Sequence, residues 1–349
     1  MSEDFRLDNL RRWLAGQGGF DPQGIVPASA DASFRRYFRV NRVDGTTCIC
    51  MDSPPDQEDL AGYLRVSALL EQCGVHVPQV FAVDTVRGYA ALEDLGSTHM
   101  LTALGAGAAA APLYDDALDT LAHLQLTGTG AARQLPPYDH ATLLREMQLL
   151  PDWYCRHHLR LDPDAAGLQV LHETFELLVT EALAQPQVFV HRDYHSRNLM
   201  ITARRSPGVI DFQDALHGPV GYDLASILKD CYIAWPRPRV ETWVASYRDR
   251  LLAGGVQGSA LAGDSAAQFL RWFDLIGLQR HIKVLGIFAR LCWRDGKTGY
   301  LADLPRTLAY VQDVAHAYPE LKRFADFVDT HLAPGLAAAN TRALAATRP

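Results

Sequence analysis

The first 95 residues of the chain combine segments with the hydrophobic pattern of strands and segments with that of helices. Hydrophobic and polar positions alternate in residues 34–40 and 46–51, as in half-buried strands, and residues 80–83 and 89–93 also have strand character. Asp44-Gly45, between the first two segments, is typical of a hairpin turn. Residues 5–15 and 57–73 instead place apolar side chains at helical spacing, and glycines follow both segments. The pattern predicts a small lobe built from a sheet and helices.

After residue 95 the apolar positions recur mainly at helical spacing, up to about residue 332. Three short segments break this pattern and have strand character: residues 188–190, 199–201 and 208–210. The Ala-rich tail after Pro334 has little apolar character with which to pack, so we expect it to be poorly anchored. The chain therefore predicts a second, larger lobe that is mostly helical.

A run of polar residues lies between two of these strand segments: His191-Arg192-Asp193-Tyr194-His195-Ser196-Arg197-Asn198. In kinase catalytic loops, His-Arg-Asp followed five residues later by Asn places a carboxylate near the acceptor hydroxyl and an amide oxygen on a metal ion. Those residues here are Asp193 and Asn198. Asp211 follows the next strand and can supply the second metal ligand. The motif predicts a phosphotransferase that uses ATP and Mg²⁺, with Asp193 as the catalytic residue.

The motif and the hydrophobic pattern together indicate an α+β, two-lobed, protein-kinase-like fold. We expect residues 1–95 to form the N-terminal nucleotide-binding lobe and residues 96–349 the C-terminal catalytic and substrate-binding lobe. His191 and Arg192 are expected to brace the catalytic loop rather than to take part in the chemistry.

Composition narrows the class of protein. The 349 residues are 48% hydrophobic and 21% charged, which is typical of a globular protein. A formal charge of −7 argues against a general nucleic-acid binder. The chain has no long apolar run or targeting segment, and its six cysteines lack the spacing of a zinc site. We expect a cytoplasmic enzyme for a small molecule, with no nucleic-acid, membrane or obligate protein partner.

Several segments resemble a known enzyme family over nearly the whole chain. Besides the catalytic loop they are residues 29–40, 51–55, 92–96 and 218–225. They resemble the aminoglycoside phosphotransferase and choline kinase superfamily, and more closely its branch of bacterial kinases for amino sugars of the cell wall. This resemblance implies transfer of phosphate from ATP to the anomeric C1 hydroxyl of N-acetylmuramate and N-acetylglucosamine in peptidoglycan recycling. It also implies that Asp223 buttresses the catalytic loop.

The small lobe supplies the candidates for nucleotide binding. They are Ser29, Asp31, Ser33, Arg35, Arg36, Glu93 and Leu95. Residues 29–33 replace the glycine-rich phosphate loop of ordinary kinases. The strand that ends near Met51 lacks the usual phosphate-binding lysine, so Arg35 or Arg36 is expected to supply the positive charge. Because side chains alternate along a strand, only one of the two can face the nucleotide. Residues 92–95 are expected to contact the base through their backbone.

The candidates for sugar binding are less sharply defined. They are His195, Gln213, Asp214, Glu146, Asp152, Trp153 and Arg280. Residues 146–154 combine carboxylates with aromatic rings, as carbohydrate sites do, although the rings could instead pack between helices. Arg280 lies in a basic cluster that could receive the lactyl carboxylate of N-acetylmuramate or could belong to a solvated helix face. His195, Gln213 and Asp214 adjoin the catalytic segments and could equally position other groups.

Two other functions stay open at this point. One is a phosphotransferase for an aminoglycoside or another small alcohol, since the acidic large lobe would suit a polycationic acceptor. The other is a non-catalytic, pseudokinase-type binding protein, because the strand lysine is missing. Intact Asp193, Asn198 and Asp211 favour catalysis.

Overall fold

The computed structural model of the protein describes residues 4–30 and 34–346. The chain divides into two compact units. The sheet unit comprises Met1–Ala117 and Arg197–Asp214, and the helical unit comprises Leu118–Ser196 and Ala215–Pro349. The sheet unit is therefore discontinuous in sequence. The boundary predicted after residue 95 divides the chain only once, and it stays a prediction.

The sheet unit is built on a five-stranded antiparallel sheet. Its elements up to the end of the first segment are α1 (Phe5–Gln17), β1 (Val26–Ala30), β2 (Arg36–Asn41), β3 (Thr47–Asp52), α2 (Leu60–Gln72), β4 (Val80–Asp84), β5 (Tyr89–Glu93), α3 (Met100–Gly105) and the start of α4 (Ala110–Thr127). The strand order is β1-β2-β3-β5-β4. The predicted hairpin is formed by β2 and β3, with Arg39 opposite Ile49.

The two faces of this sheet carry different side chains, because alternate residues of a strand point to opposite faces. One face forms a hydrophobic core with α1, and its members are Leu10, Trp13, Leu14, Phe38, Val40, Cys48, Cys50, Tyr89 and Ala91. Tyr37 and Arg39 of β2 and Ile49 and Met51 of β3 therefore lie on the opposite face. A ligand that binds on that opposite face can therefore contact the polar side chains of that face and not those of the core face.

Helices make up most of the chain after α4. The elements in order are α5 (Thr129–Ala132), α6 (His140–Met147), a π-helix (Leu150–Leu159), α7 (Ala165–Leu183), β6 (Gln187–Val190), β7 (Leu199–Met200), β8 (Gly208–Val209), β9 (Leu216–Pro219), α8 (Gly221–Leu228), α9 (Arg237–Ala253), α10 (Gly255–Leu261), α11 (Ala266–Asp295), a 3₁₀-helix (Thr298–Asp303), α12 (Leu304–Ala317), a 3₁₀-helix (Pro319–Leu321), α13 (Lys322–Phe327), a π-helix (Val328–Leu332) and α14 (Leu336–Ala346). The predicted α+β fold, with a small sheet lobe and a larger helical lobe, is confirmed. Among the described residues, no helix combines the length and the apolar character that crossing a bilayer requires.

The segment Arg197–Asp214 joins the sheet unit through a short hairpin. β7 and β8 pair with Leu199 opposite Val209. The backbone N–H of Ile201 donates to the carbonyl of Thr98 at 2.8 Å, and the N–H of Val209 donates to the carbonyl of His76 at 2.7 Å. These bonds hold the hairpin, and two of the predicted site residues, Asn198 and Asp211, lie beside its open end.

Helix α11 is the central helix of the helical unit. The side chain of Ser265 caps its first turn by accepting the N–H of Gln268 at 3.1 Å, and Gly296 ends it in the left-handed conformation with a φ of 68°. It is buried on all sides along much of its length, which is typical of a helix at the centre of a large core. Its polar residues Gln279, Arg280, His281 and Lys283 are consequently buried too.

The expectation of a poorly anchored C-terminal tail is wrong over the described residues. They form α14, whose Leu336, Ala339 and Ala343 are buried. The side-chain amide of Asn340 donates to the carbonyl of Leu301 at 3.1 Å. The packing of this helix comes from partners far away in the sequence, so the composition of the tail did not reveal it.

Candidate active site

A cavity of about 330 Å³ lies within the sheet unit. Ile49, Leu92, Met200 and Ile210 give it an apolar portion, and Arg39, Asn198 and Asp211 are among its polar residues. Ligand pockets commonly combine apolar walls with a few convergent polar groups. This cavity can therefore hold a flat apolar ring system together with a charged group such as a phosphate.

The end of β5 supplies an open backbone edge to this cavity. The backbone N–H of Glu93 donates to the carbonyl of Gln79 at 2.8 Å, and the carboxylate of Glu93 accepts the N–H of Gln79 at 3.2 Å. Leu95 lines the cavity, and its backbone N–H has no hydrogen-bond partner among residues 4–30 and 34–346. Leu95 is thus available for the backbone contact with a nucleobase that was predicted for this segment.

Asn198 and Asp211 lie side by side at the cavity. The amide of Asn198 donates to the carboxylate of Asp211 at 3.2 Å, and the backbone N–H of Ile210 donates to the carbonyl of Asn198 at 3.1 Å. The hairpin of β7 and β8 thus brings together two residues that are 13 positions apart in the sequence. Asp211 has a φ of 64°, a left-handed conformation that costs about 1–3 kcal/mol in a non-glycine residue. Such strain is common at functional sites.

The residues around Asp211 fit a magnesium ion. Carboxylate and amide oxygens are ligands that hard cations prefer, and magnesium sites often use one or two carboxylates together with phosphate oxygens. The amide of Gln213 donates to Asp211 at 2.9 Å, and the oxygen of the same amide is buried with no hydrogen-bond partner in the part of the chain that the structure describes. The oxygens of Asn198 and Asp211, together with the buried oxygen of Gln213 beside Asp211, therefore suit the magnesium ion that the sequence predicts.

The arginine of the small sheet that lines the cavity is Arg39. It was not a sequence candidate. Its guanidinium contacts the carboxylate of Asp94 at 2.6 Å. Arg36 instead pairs with Asp4 and Asp52 on the opposite face of the sheet, and Arg35 pairs with Glu58 at 3.1 Å. Alternation from the observed start of β2 places Arg39 on the face of Tyr37, and this signal could have identified it.

The described residues include only part of the predicted phosphate loop, residues 29–33. Asp31 and Ser33 lie outside the described residues, as does the side chain of Ser29. Their proposed contacts with phosphate stay predictions.

Asp223 holds the backbone of the catalytic loop in the helical unit. Its carboxylate accepts the backbone N–H groups of His191 at 2.6 Å and of Arg192 at 2.9 Å. Burial raises the pKa of Asp223 to about 7 in spite of these two donors. Arg192 has a φ of 81°, a left-handed conformation immediately before Asp193. These bonds are the contacts that the predicted buttressing role of Asp223 requires.

Asp193 is surrounded by positive charge. It is partly exposed, so a substrate can reach it. Desolvation alone would raise its pKa, but the charges of Lys283, His195 and Arg280 outweigh desolvation and lower the pKa of Asp193 below its ordinary value. The carboxylate is therefore ionised at neutral pH and can accept a hydrogen bond from an acceptor hydroxyl.

Comparison with known proteins shows the family to which this chain belongs. Residues 24–261 match the model of the phosphotransferase enzyme family. The chain belongs to this family. The resemblance inferred from the sequence motifs is confirmed, and the family supports an enzyme that transfers phosphoryl groups.

Two relatives of this phosphotransferase are named N-acetylmuramate/N-acetylglucosamine kinase. The Pseudomonas aeruginosa protein is 43% identical and aligns over 94% of this chain and 97% of its own. The protein from Neisseria meningitidis serogroup B is 42% identical over 92% of this chain and 93% of its own. Among solved structures, a Plasmodium vivax ethanolamine kinase matches with a TM-score of 0.60 and 12% identity, covering 86% of this chain and 85% of its own. The last likeness shows a shared fold.

Glu146 of the phosphotransferase is a buried counter-ion. One carboxylate oxygen contacts the guanidinium of Arg192 and lies 3.1 Å from the ammonium of Lys283. The other oxygen accepts the hydroxyl of Tyr138 and, at 3.4 Å, the amide of Gln279. Because protein donors engage both oxygens, this geometry suits positioning of Arg192, and the sugar contact predicted for Glu146 has no support from it.

The pH dependence of the free energy of unfolding tests whether Glu146 is held ionised by its neighbours. Burial alone would raise the pKa of Glu146, but Lys283 and Arg192 outweigh burial and lower it to about 2, below the ordinary 4.5. A lowered carboxyl pKa contributes stability above the unfolded-state pKa, and that contribution is lost as the pH falls from about 4.5 to 2. We expect Glu146→Gln to unfold more easily at pH 7, with a deficit of about 3 kcal/mol that shrinks towards pH 3. Urea unfolding of both proteins at several pH values measures the deficit.

Asp152→Asn is the matched control for this experiment. Asp152 is a half-exposed carboxylate in an ion pair with Arg156 at 2.9 Å, so its removal should change the free energy of unfolding little at any of these pH values. A deficit in Glu146→Gln that stays constant from pH 7 to pH 3 would show that Glu146 is not held ionised by its neighbours.

The other sugar-site candidates occupy different surroundings. Trp153 stacks on His157 within the π-helix at a centroid distance of 4.6 Å. Asp214 borders a second cavity of about 350 Å³ in the sheet unit, together with Arg35. The ring of His195 meets Tyr232 edge-on at 5.3 Å in the helical unit. Of these candidates, His195 is the one whose charge acts directly on Asp193.

Proposed function

We propose that this phosphotransferase transfers the γ-phosphoryl group of ATP to the anomeric C1 hydroxyl of N-acetylmuramate and N-acetylglucosamine. The observation that carries the acceptor is the 43% identity, over 94% of this chain, to a relative named for these two sugars. The cavity with its paired Asn198 and Asp211 supports a nucleotide as the donor. We propose the cytoplasm as its location, because ATP is available there.

In the sheet unit, the cavity would bind the nucleotide. The backbone of Leu95 would contact the base between apolar walls that include Ile49 and Met200. Arg39, whose guanidinium donates to Asp94 and to the carbonyl of Gly96, would hold the segment that contacts the base. Asn198 and Asp211 would hold magnesium, which neutralises the charge of the phosphate oxygens.

In the helical unit, Asp193 would orient the C1 hydroxyl and accept its proton. The sugar oxygen forms a bond to the γ-phosphorus while the bond from that phosphorus to the bridging oxygen of ADP breaks. The hydroxyl proton passes to Asp193 late in this loose transition state and then to solvent. The bonds from Asp223 keep the loop backbone in place, so Asp193 needs little reorganisation during transfer.

An acceptor panel tests the proposal. ADP release from ATP is measured with N-acetylmuramate, N-acetylglucosamine, glucose, choline and kanamycin, each with magnesium and with a chelator. We expect turnover with the two N-acetyl sugars and its loss with the chelator. Turnover confined to kanamycin or choline would assign a different acceptor. No turnover with any acceptor, while ATP still raises the melting temperature, would favour a binding protein.

A further inference from the structure

Arg280 of α11 is a buried cation that forms no direct ion pair with a described residue. Four lysine or arginine residues are buried among the described residues, and the other three pair with carboxylates: Arg35 with Glu58, Lys229 with Asp274 and Lys283 with Glu146. Arg280 has only 4% of its surface exposed and forms no ion pair with any described residue. Within residues 4–30 and 34–346, its guanidinium forms a hydrogen bond to the sulfur of Cys231 at 3.5 Å. A buried charge without a partner is costly, so such a group calls for a ligand.

The surroundings of Arg280 point to the acceptor. Its positive charge interacts with the carboxylates of Asp193 and Asp230. The carboxylate of Asp230 is engaged elsewhere, because it accepts the backbone N–H groups of Ser196 and Tyr232, each at 2.9 Å. Asp193 is the residue expected to bind the C1 hydroxyl. Arg280 therefore lies in the electrostatic neighbourhood of the reacting end of the sugar.

We propose that Arg280 binds the lactyl carboxylate of N-acetylmuramate and gives the enzyme its selectivity for this sugar over N-acetylglucosamine. The lactyl ether is carried on C3, two ring carbons from C1, and its carboxylate is the one charged group of the acceptor. A guanidinium binds a carboxylate through two parallel hydrogen bonds. N-acetylglucosamine has a neutral hydroxyl at this position and leaves Arg280 without a direct ion pair. This inference rests on the proposed function.

The test compares the two sugars in Arg280→Gln. We expect the ratio of kcat/KM for N-acetylmuramate to that for N-acetylglucosamine to fall by about 10- to 100-fold, through KM for N-acetylmuramate. The methyl ester of N-acetylmuramate removes the charge from the ligand instead. The wild-type enzyme should prefer the acid to this ester, and Arg280→Gln should lose that preference. Arg280→Lys keeps the positive charge but cannot form two parallel hydrogen bonds to a carboxylate. Its ratio of kcat/KM for the two sugars should lie between those of the wild type and Arg280→Gln.

Arg294→Gln is the matched control, since Arg294 lies on the same helix but is exposed and paired with Asp295 at 2.7 Å. Its sugar ratio should equal that of the wild type. If Arg280→Gln slows both sugars equally, Arg280 serves the phosphoryl group or the loop and the proposal is overturned. An unchanged ratio overturns it as well. If Arg280→Gln does not fold, the wild type and Arg280→Lys are compared for their preference for N-acetylmuramate over its methyl ester. A wild type without this preference overturns the proposal. Failure of the proposed function is seen separately, as a wild-type enzyme that phosphorylates neither sugar, and this would overturn both.

Discussion

Asp193→Asn is expected to lower kcat for both N-acetyl sugars by about 10²- to 10⁴-fold, the usual contribution of a general base. Asparagine keeps the size of the side chain but cannot take the hydroxyl proton. Asp193 is held ionised by Lys283, His195 and Arg280, so the loss should be seen at every pH near neutrality. Steady-state kinetics with saturating ATP measures it, and titration with ATP should give an unchanged dissociation constant.

Asp162→Asn serves as the control, because Asp162 is an exposed carboxylate of the same helical unit that pairs with Arg156 at 3.2 Å. It should retain wild-type kcat. Asp193→Asn removes a charge from a basic cluster, so its melting temperature must be compared with that of the wild type. A folded Asp193→Asn variant with more than about a tenth of wild-type kcat would contradict the role of Asp193 as the base.

The second large effect is expected for Asp211→Asn. Asparagine tolerates the left-handed backbone of this position, where φ is 64°, so the variant tests the charge of the ligand with little change in conformation. Loss of the carboxylate should weaken metal binding and lower kcat/KM by about 10³-fold, the scale of several kcal/mol of charge stabilisation. Calorimetric titration with ATP, with and without magnesium, should show that magnesium no longer tightens nucleotide binding.

Asp44→Asn is the control within the sheet unit. Asp44 lies in the turn between β2 and β3, and its carboxylate bonds to Thr46, away from the residues that line the cavity. Magnesium should tighten ATP binding to this variant as it does in the wild type. If magnesium also tightens ATP binding to Asp211→Asn as strongly, the metal is held by other residues.

The fold could be predicted from the sequence where local patterns decide it. Alternation and the Asp44-Gly45 turn predict the hairpin of β2 and β3, because a side-chain period of two and a turn signal are local features. β9 was not predicted as a strand, since its four residues have no alternation and are defined by pairing with β6. The anchoring of α14 likewise depends on contacts with residues far from it in the sequence.

In the candidate site, too, the sequence indicated some features and missed others. Asn198 directly precedes one predicted strand, residues 199–201, and Asp211 directly follows another, residues 208–210, so the sequence indicated that they could meet. Arg39 was missed because the face of a strand residue depends on the residue at which the strand begins. The burial of Arg280 also escaped prediction, since a polar residue on an apolar helix indicates a solvated face unless other helices cover it. Both features depend on how elements pair and pack with one another, and a local sequence pattern does not contain that information.

The most direct test of the account is the position of the phosphate in the product made from N-acetylglucosamine, ATP and magnesium. Proton-coupled phosphorus NMR reports it, because the phosphorus couples to the protons on the carbon that carries the phosphate. We expect coupling to the single anomeric proton, which identifies the sugar 1-phosphate. Coupling to the two protons on C6, or release of inorganic phosphate alone, would contradict it.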